Sequence, residues 1–108
     1  MITGGTRGLG AVLTRHFATT GHNVVMNCRN LEIADQKVFE ISKYGATGQV
    51  LAIKADVRNR NEVQQMFVEA VAKFGCIDVL INCAGVNRDA AFLDLTDEDW
   101  DLVVDTHL

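Results

Sequence analysis

Four short segments carry residue types able to hold a nucleotide. The first is Thr3-Gly4-Gly5-Thr6-Arg7-Gly8-Leu9-Gly10. Glycines permit a tight turn and let backbone N–H groups approach a ligand with no Cβ in the way. The apolar residues Leu9, Val12, Leu13 and Phe17 then recur at helical spacing, so the turn opens onto a helix N-terminus. The free N–H groups and partial positive charge there suit a pyrophosphate. The spacing G-x-x-x-G-x-G differs from the common G-x-G-x-x-G fingerprint. A Walker A loop is excluded because Ala11-Val12, not Lys and Ser or Thr, follow Gly10. An ordinary tight turn between strand and helix is the plain alternative.

The second segment is Cys28-Arg29-Asn30. Dinucleotide folds that select NAD place an acid near here for the ribose 2′-OH, whereas a basic residue accommodates a 2′-phosphate. No acid occurs before Glu32. Arg29 and Arg7 therefore read as a cationic clamp on a phosphate, the alternative being two solvated surface arginines. The third segment is Asp56-Val57. Its carboxylate suits an adenine amino group, with Val57 covering the ring; the alternative is a turn or helix cap. The fourth is Asn82-Cys83-Ala84-Gly85, whose small residues let the chain pass close to a flat ligand. Asn82 either braces that loop to a neighbouring strand end or is a satisfied buried amide.

These segments fall at the ends of expected strands. Met1–Thr3 lead into the glycine loop, and Gly21 closes the first helix. Asn23–Cys28 reads as a buried strand. A second helix is expected from Leu31 to Tyr44, with Leu31, Ala34, Val38 and Ile41 on one face, ended by Gly45 and Gly48. Val50–Ala55 is a third strand. Val63, Met66, Phe67, Ala70, Val71 and Phe74 form the apolar stripe of a third helix, with Gly75 as its stop. Ile77–Ile81 is a fourth strand, and a loop runs to Leu95. Thr96 then caps an acidic helix start, after which Trp100, Val103, Val104, His107 and Leu108 share a face. Alternating strands and helices of this length imply right-handed crossovers and a parallel α/β sheet. Ligands in such sheets lie beyond the carboxyl ends of the strands, where strand order reverses.

Composition narrows the setting. The 108 residues are 48% hydrophobic and 22% charged, as in an ordinary globular domain, with a formal charge of −4. That balance offers nucleic acid no basic face. No apolar run approaches the ~18–20 residues of a membrane span, and a signal peptide's basic and apolar blocks are missing from the first residues. Cys28, Cys76 and Cys83 are expected to be reduced, mostly buried thiols of a cytoplasmic protein.

Thr3-Gly4-x-x-x-Gly8-x-Gly10 matches the T-G-x-x-x-G-x-G cofactor loop of the short-chain dehydrogenase/reductase family, which this sequence resembles throughout its length. Asn82-Cys83-Ala84-Gly85 matches the family's N-N-A-G with Cys83 in place of the second Asn, and Asp56-Val57 stands where the family contacts adenine. Within the family the sequence looks most like the bacterial 3-oxoacyl-(acyl-carrier-protein) reductases, in Ile77–Asn82, Gly85–Asp89 and Leu95–Trp100.

The resemblance implies a Rossmann-like, doubly wound sheet and NADP(H)-dependent interconversion of a carbonyl and an alcohol, with NADP(H) favoured over NAD(H). It assigns cofactor contact to Thr3, Gly4, Thr6, Arg7, Gly8, Leu9, Gly10, Arg29, Asn30, Asp56, Val57, Asn82, Cys83, Ala84 and Gly85. The implied substrate is a small molecule or an acyl-carrier thioester of fatty acid metabolism, with no nucleic-acid or membrane partner and a homo-oligomeric full-length parent.

The family's Ser, its Tyr general acid/base and the Lys four residues beyond are not matched. The only tyrosine, Tyr44, is followed four residues later by Gly48, and the only serine is Ser42. The family's helix Asn falls at His107, either a proton relay or a partly buried histidine. The expectation is a single dinucleotide-binding domain over residues 1–108, an N-terminal fragment clipped at both ends and inactive alone. The alternatives are a non-catalytic nucleotide- or partner-binding fragment, and, less well matched, an S-adenosylmethionine-dependent methyltransferase.

Overall fold

A computed structural model describes all 108 residues, Met1–Leu108. The strands β1 (Ile2–Thr3), β2 (Val24–Cys28), β3 (Val50–Lys54) and β4 (Ile81–Asn82) alternate with the helices α1 (Gly8–Thr19), α2 (Leu31–Ser42), α3 (Arg60–Phe74) and α4 (Asp97–His107). All strand pairs are parallel, in the order β3-β2-β1-β4. The chain steps outward from β1 to β3 and then crosses to β1's other side. The switch point therefore lies between β1 and β4.

β2 is the buried spine, with all five residues inaccessible and five register pairs to β3, from Val24↔Val50 to Cys28↔Lys54. Apolar β-branched and sulfur side chains fill both faces, as a strand covered by helices requires. Val25, Ile53, Ala55, Met66 and Ala70 form one cluster against α3. Ile2, Ala18, Val24 and Ile41 form another against α1 and α2.

Helix limits follow local chemistry. Asn30 caps α2 by accepting from Ile33 N–H at 3.2 Å, and Asn59 caps α3 through Asn61 and Glu62 N–H. Thr96 caps α4 through Asp99 N–H at 3.1 Å. Gly75 ends α3, its N–H donating to Val71 O at 2.7 Å.

The structure departs from the sequence expectations in several places, including Leu31 and Val71, which their helices leave 44% and 45% exposed. First, Leu9 and Val12 are 68% and 53% exposed. The buried stripe of α1 is instead Gly10, Thr14 and Ala18, because only small side chains let the helix lie this close to the sheet. Second, Ile77–Leu80 form no ladder. β1 supplies only Ile2 and Thr3, with Met1 O accepting from Ile81 N–H at 2.9 Å, so residues before Ile81 have no strand beside them. An apolar cavity of about 220 Å³ lies at that end, bordered by Phe17, Val24, Phe74 and Ile77. Third, Phe92–Asp94 make a 3-10 turn within the expected loop. Fourth, the three thiols are free, but only Cys28 is buried, and Cys76 is exposed.

α4 buries no residue fully. Its ends are tied to the preceding loop by the Arg88–Asp99 ion pair at 3.1 Å and by His107 against Val86. Trp100 remains 56% exposed. No helix is long and apolar enough to cross a membrane.

Candidate functional site

A cleft of about 700 Å³ opens at the carboxyl ends of the strands, across the switch point. It is walled by the glycine loop, by Asn27–Asn30 after β2, by Ala55–Arg58 after β3, by Asn82–Val86 after β4, and by Thr106 and His107 of α4. Every residue assigned to cofactor contact lines it except the buried Thr3.

Two glycines make the loop possible. Gly4 has φ +63°, and a Cβ on it would sit 2.9 Å from Ala84 Cα. This is how closely the loops after β1 and β4 approach. Gly10 lies against the same loop: a Cβ there would fall 2.2 Å from Gly4 O. The Thr14 hydroxyl locks this contact by donating to Gly10 O at 2.8 Å.

α1 differs from the other three helices at its start. No side chain caps it, and its first turn holds no acid. α2, α3 and α4 each have a side-chain cap and at least one acid in the first turn. The N–H groups of Gly8, Leu9 and Gly10 therefore keep their donor capacity and the helix its positive end, and these residues line the cleft. Arg7 stands exposed beside them, and Leu9 turns its side chain outward at the rim.

Buried polar groups hold the strand ends in register. Thr3 Oγ1 accepts from Cys83 N–H at 3.0 Å and Ala84 N–H at 3.1 Å. The brace expected of Asn82 is thus supplied by Thr3, since Asn82 is exposed and is not a buried amide. Asn27 is 2% exposed. Its Oδ1 accepts from Gly4 N–H at 3.3 Å and its Nδ2 donates to Ala55 O at 2.9 Å. One side chain so ties together the ends of β1, β2 and β3. Sequence reasoning placed Asn27 only within an apolar strand. The available signal was an amide at the penultimate position of an otherwise apolar β2.

At the adenosine end stand Arg29, Asn30, Asp56, Val57 and Arg58. Arg29 is exposed, and the Asn30 carbonyl oxygen is committed to capping α2. Asp56 is both a turn cap and half of an ion pair. Its Oδ1 accepts from Arg58 N–H at 2.9 Å, and its Oδ2 accepts from Arg58 Nη2 at 2.6 Å. The Arg58 side chain, then its backbone N–H, hold the Asp56 carboxyl at about 2, below the ordinary 3.8. A carboxyl with a lowered folded-state pKa stabilises the fold above its unfolded value, and that contribution disappears as pH falls from 3.8 to about 2. Arg58→Ala is accordingly expected to destabilise the chain slightly at neutral pH and not at about pH 2, as urea denaturation at both values would show.

Two further groups are chemically quiet or structural. Burial pushes the Cys28 thiol up, so it stays protonated. His107 Nε2 lies 3.2 Å from Val86 N and 3.1 Å from Val86 O. The tautomer decides which contact is made. The ring packs on Gly85, where a Cβ would meet Cε1 at 2.8 Å.

A parallel sheet with a glycine loop at its switch point and a helix N-terminus open to the cleft defines the Rossmann-like nucleotide-binding class. The chain belongs to the short chain dehydrogenase family, whose family model matches residues 1–108. It is 38% identical over 109 aligned positions to the 3-oxoacyl-[acyl-carrier-protein] reductase FabG of Staphylococcus aureus, covering 100% of this chain and 44% of that protein. A dehydrogenase/reductase from Sinorhizobium meliloti superposes with a TM-score of 0.88 at 34% identity, covering 96% of this chain and 41% of that one. A variant of actinorhodin polyketide ketoreductase, solved with NADPH, superposes with a TM-score of 0.89 at 30% identity, covering 99% of this chain and 41% of that one. The chain thus spans less than half the length of the relatives it matches.

Proposed function

We propose that this chain is the cofactor-binding part of an NADP(H)-dependent oxidoreductase that interconverts a carbonyl and an alcohol, with a 3-oxoacyl-[acyl-carrier-protein] reductase-like substrate. The observation that carries the reading is the start of α1: no side-chain cap, no acid, and a glycine loop that packs closely at Gly4 and Gly10 and lines the cleft. Such a surface complements bridging phosphates. The bound nicotinamide supplies the hydride. The residues of this chain bind and orient it. Gly8, Leu9 and Gly10 N–H groups receive the pyrophosphate, Asp56 and Val57 receive adenine, and the Asn82–Gly85 loop flanks the nicotinamide side.

Selection of the phosphorylated dinucleotide falls to Arg7 and Arg29. Both are exposed on the same cleft, and Glu32 is the first acid after β2. The ketoreductase solved with NADPH supports the same choice. The residues described contain no Tyr-x-x-x-Lys, so the 108-residue chain is expected to bind cofactor without turning over a carbonyl.

Titration with NADPH and NADH, followed by calorimetry, tests the reading. NADPH is expected to bind more tightly. Arg29→Ala is expected to weaken NADPH about 10-fold or more, the worth of a hydrogen bond to a charged group, and to leave NADH nearly unchanged. Tighter NADH binding by the wild type, or an unaltered NADPH affinity in the variant, would remove the NADP(H) assignment.

A further inference from the structure

We propose that Arg58 determines how strongly the cleft prefers a phosphorylated dinucleotide, by neutralising Asp56 rather than by touching the phosphate. The proposal rests on the dinucleotide reading above. Asp56 is the one acid lining the cleft at its adenosine end, alongside Arg7, Arg29 and Arg58. Left alone, its carboxylate would meet adenine favourably. It would also repel a 2′-phosphate on the neighbouring ribose, since like charges within several ångströms oppose each other at a partly dry surface.

Arg58 resolves that conflict in this chain. Its Nε lies 3.0 Å from Oδ1 and 3.1 Å from Oδ2 of Asp56, and its Nη2 lies 2.6 Å from Oδ2. The backbone N–H at 2.9 Å also bonds Oδ1, so Arg58 reaches both oxygens of the carboxylate. The fork-on-carboxylate geometry commits the guanidinium to Asp56 and cancels its charge, so Arg7 and Arg29 act on the phosphate unopposed. Two other acids bear on this pair: Asp105 acts on Arg58 through its charge, and Glu62, though exposed, is engaged in local hydrogen bonds. Its Oε2 accepts from Asp56 N–H at 2.8 Å and its Oε1 from Asn59 Nδ2 at 3.1 Å.

Binding of NADPH and NADH to four chains tests this: wild type, Arg58→Ala, Arg58→Lys, and the double variant Asp56→Asn/Arg58→Ala. Circular dichroism checks that each is folded. Arg58→Ala is expected to lower the NADPH-over-NADH preference about 10-fold, chiefly through NADPH. Arg58→Lys keeps the charge and is expected to retain most of the preference. Adding Asp56→Asn to Arg58→Ala removes the exposed carboxylate and is expected to bring the preference back to within about 3-fold of wild type. An unchanged preference in Arg58→Ala overturns the proposal. So does a double variant that stays as poor as Arg58→Ala, because Arg58 would then be contacting the phosphate itself. A wild-type chain that binds neither dinucleotide removes the underlying reading, an outcome distinct from both.

Discussion

Gly10→Ala is expected to abolish dinucleotide binding and to lower the stability of the chain by about 3 kcal/mol or more. The added Cβ would fall 2.2 Å from Gly4 O, 2.9 Å from Gly4 C and 3.1 Å from Gly5 Cα. All three are backbone atoms, so no rotamer change relieves the clash. The loop cannot retreat easily either. Gly4 already sits against Ala84, and the Thr14 hydroxyl bonds Gly10 O at 2.8 Å and Gly5 O at 3.4 Å. Overpacking of a tight core costs about 1–3 kcal/mol when side chains can shift, and backbone obstruction puts this case at or above that range. Small domains hold only ~5–15 kcal/mol in total. Thermal unfolding and an NADPH titration measure both effects. A variant that melted like the wild type and bound NADPH equally well would show that α1 does not rest on the loop as described.

The second large effect is expected at Asn27. Asn27→Ala removes the partners of Gly4 N–H and Ala55 O in a region where Asn27 itself is 2% exposed. Each buried polar group left unpaired costs about 1–3 kcal/mol, so a loss of roughly 2–6 kcal/mol is expected in urea denaturation, with the slope unchanged. Asn27→Asp keeps the acceptor for Gly4 N–H, loses the donor to Ala55 O and buries a charge. It is expected to be no better than alanine at neutral pH. Because Asn27 holds the glycine loop to the end of β3, both variants should also bind NADPH at least about 10-fold more weakly. A stability loss with unaltered affinity would mean that the loop keeps its shape without this tie. Gly5 N–H, which donates to Asn27 O at 3.0 Å, would then be sufficient.

Much of the local structure was legible in the residues themselves. Thr96 was read as the cap of an acidic helix start, and it caps α4. The stripe from Val63 to Phe74 lies on a single helix ended by Gly75. The alternation of elements predicted a parallel sheet, and the sheet is parallel throughout. Where periodicity misled, the cause was proximity. α1 buries Gly10, Thr14 and Ala18, so its larger apolar residues Leu9 and Val12 are turned outward. β4 is shorter than its apolar run because a ladder needs a partner at every step, and β1 offers two residues.

What the sequence determined alone is whatever depends on a residue and its near neighbours along the chain: the turn that glycines allow, the start and stop of each helix, and the order in which strands and helices alternate. Tertiary structure alone decided which distant groups meet. Thr3 reaches Cys83 and Ala84, Asn27 joins Gly4 to Ala55, and His107 settles over Gly85. Arg58, though only two residues from Asp56, closes on its carboxylate because the turn after β3 folds back there. The physical reason is that backbone preference acts over a few residues, whereas pairing across the sheet depends on register. A shift of one residue in β1 or β2 would turn Thr3 or Asn27 to the other face.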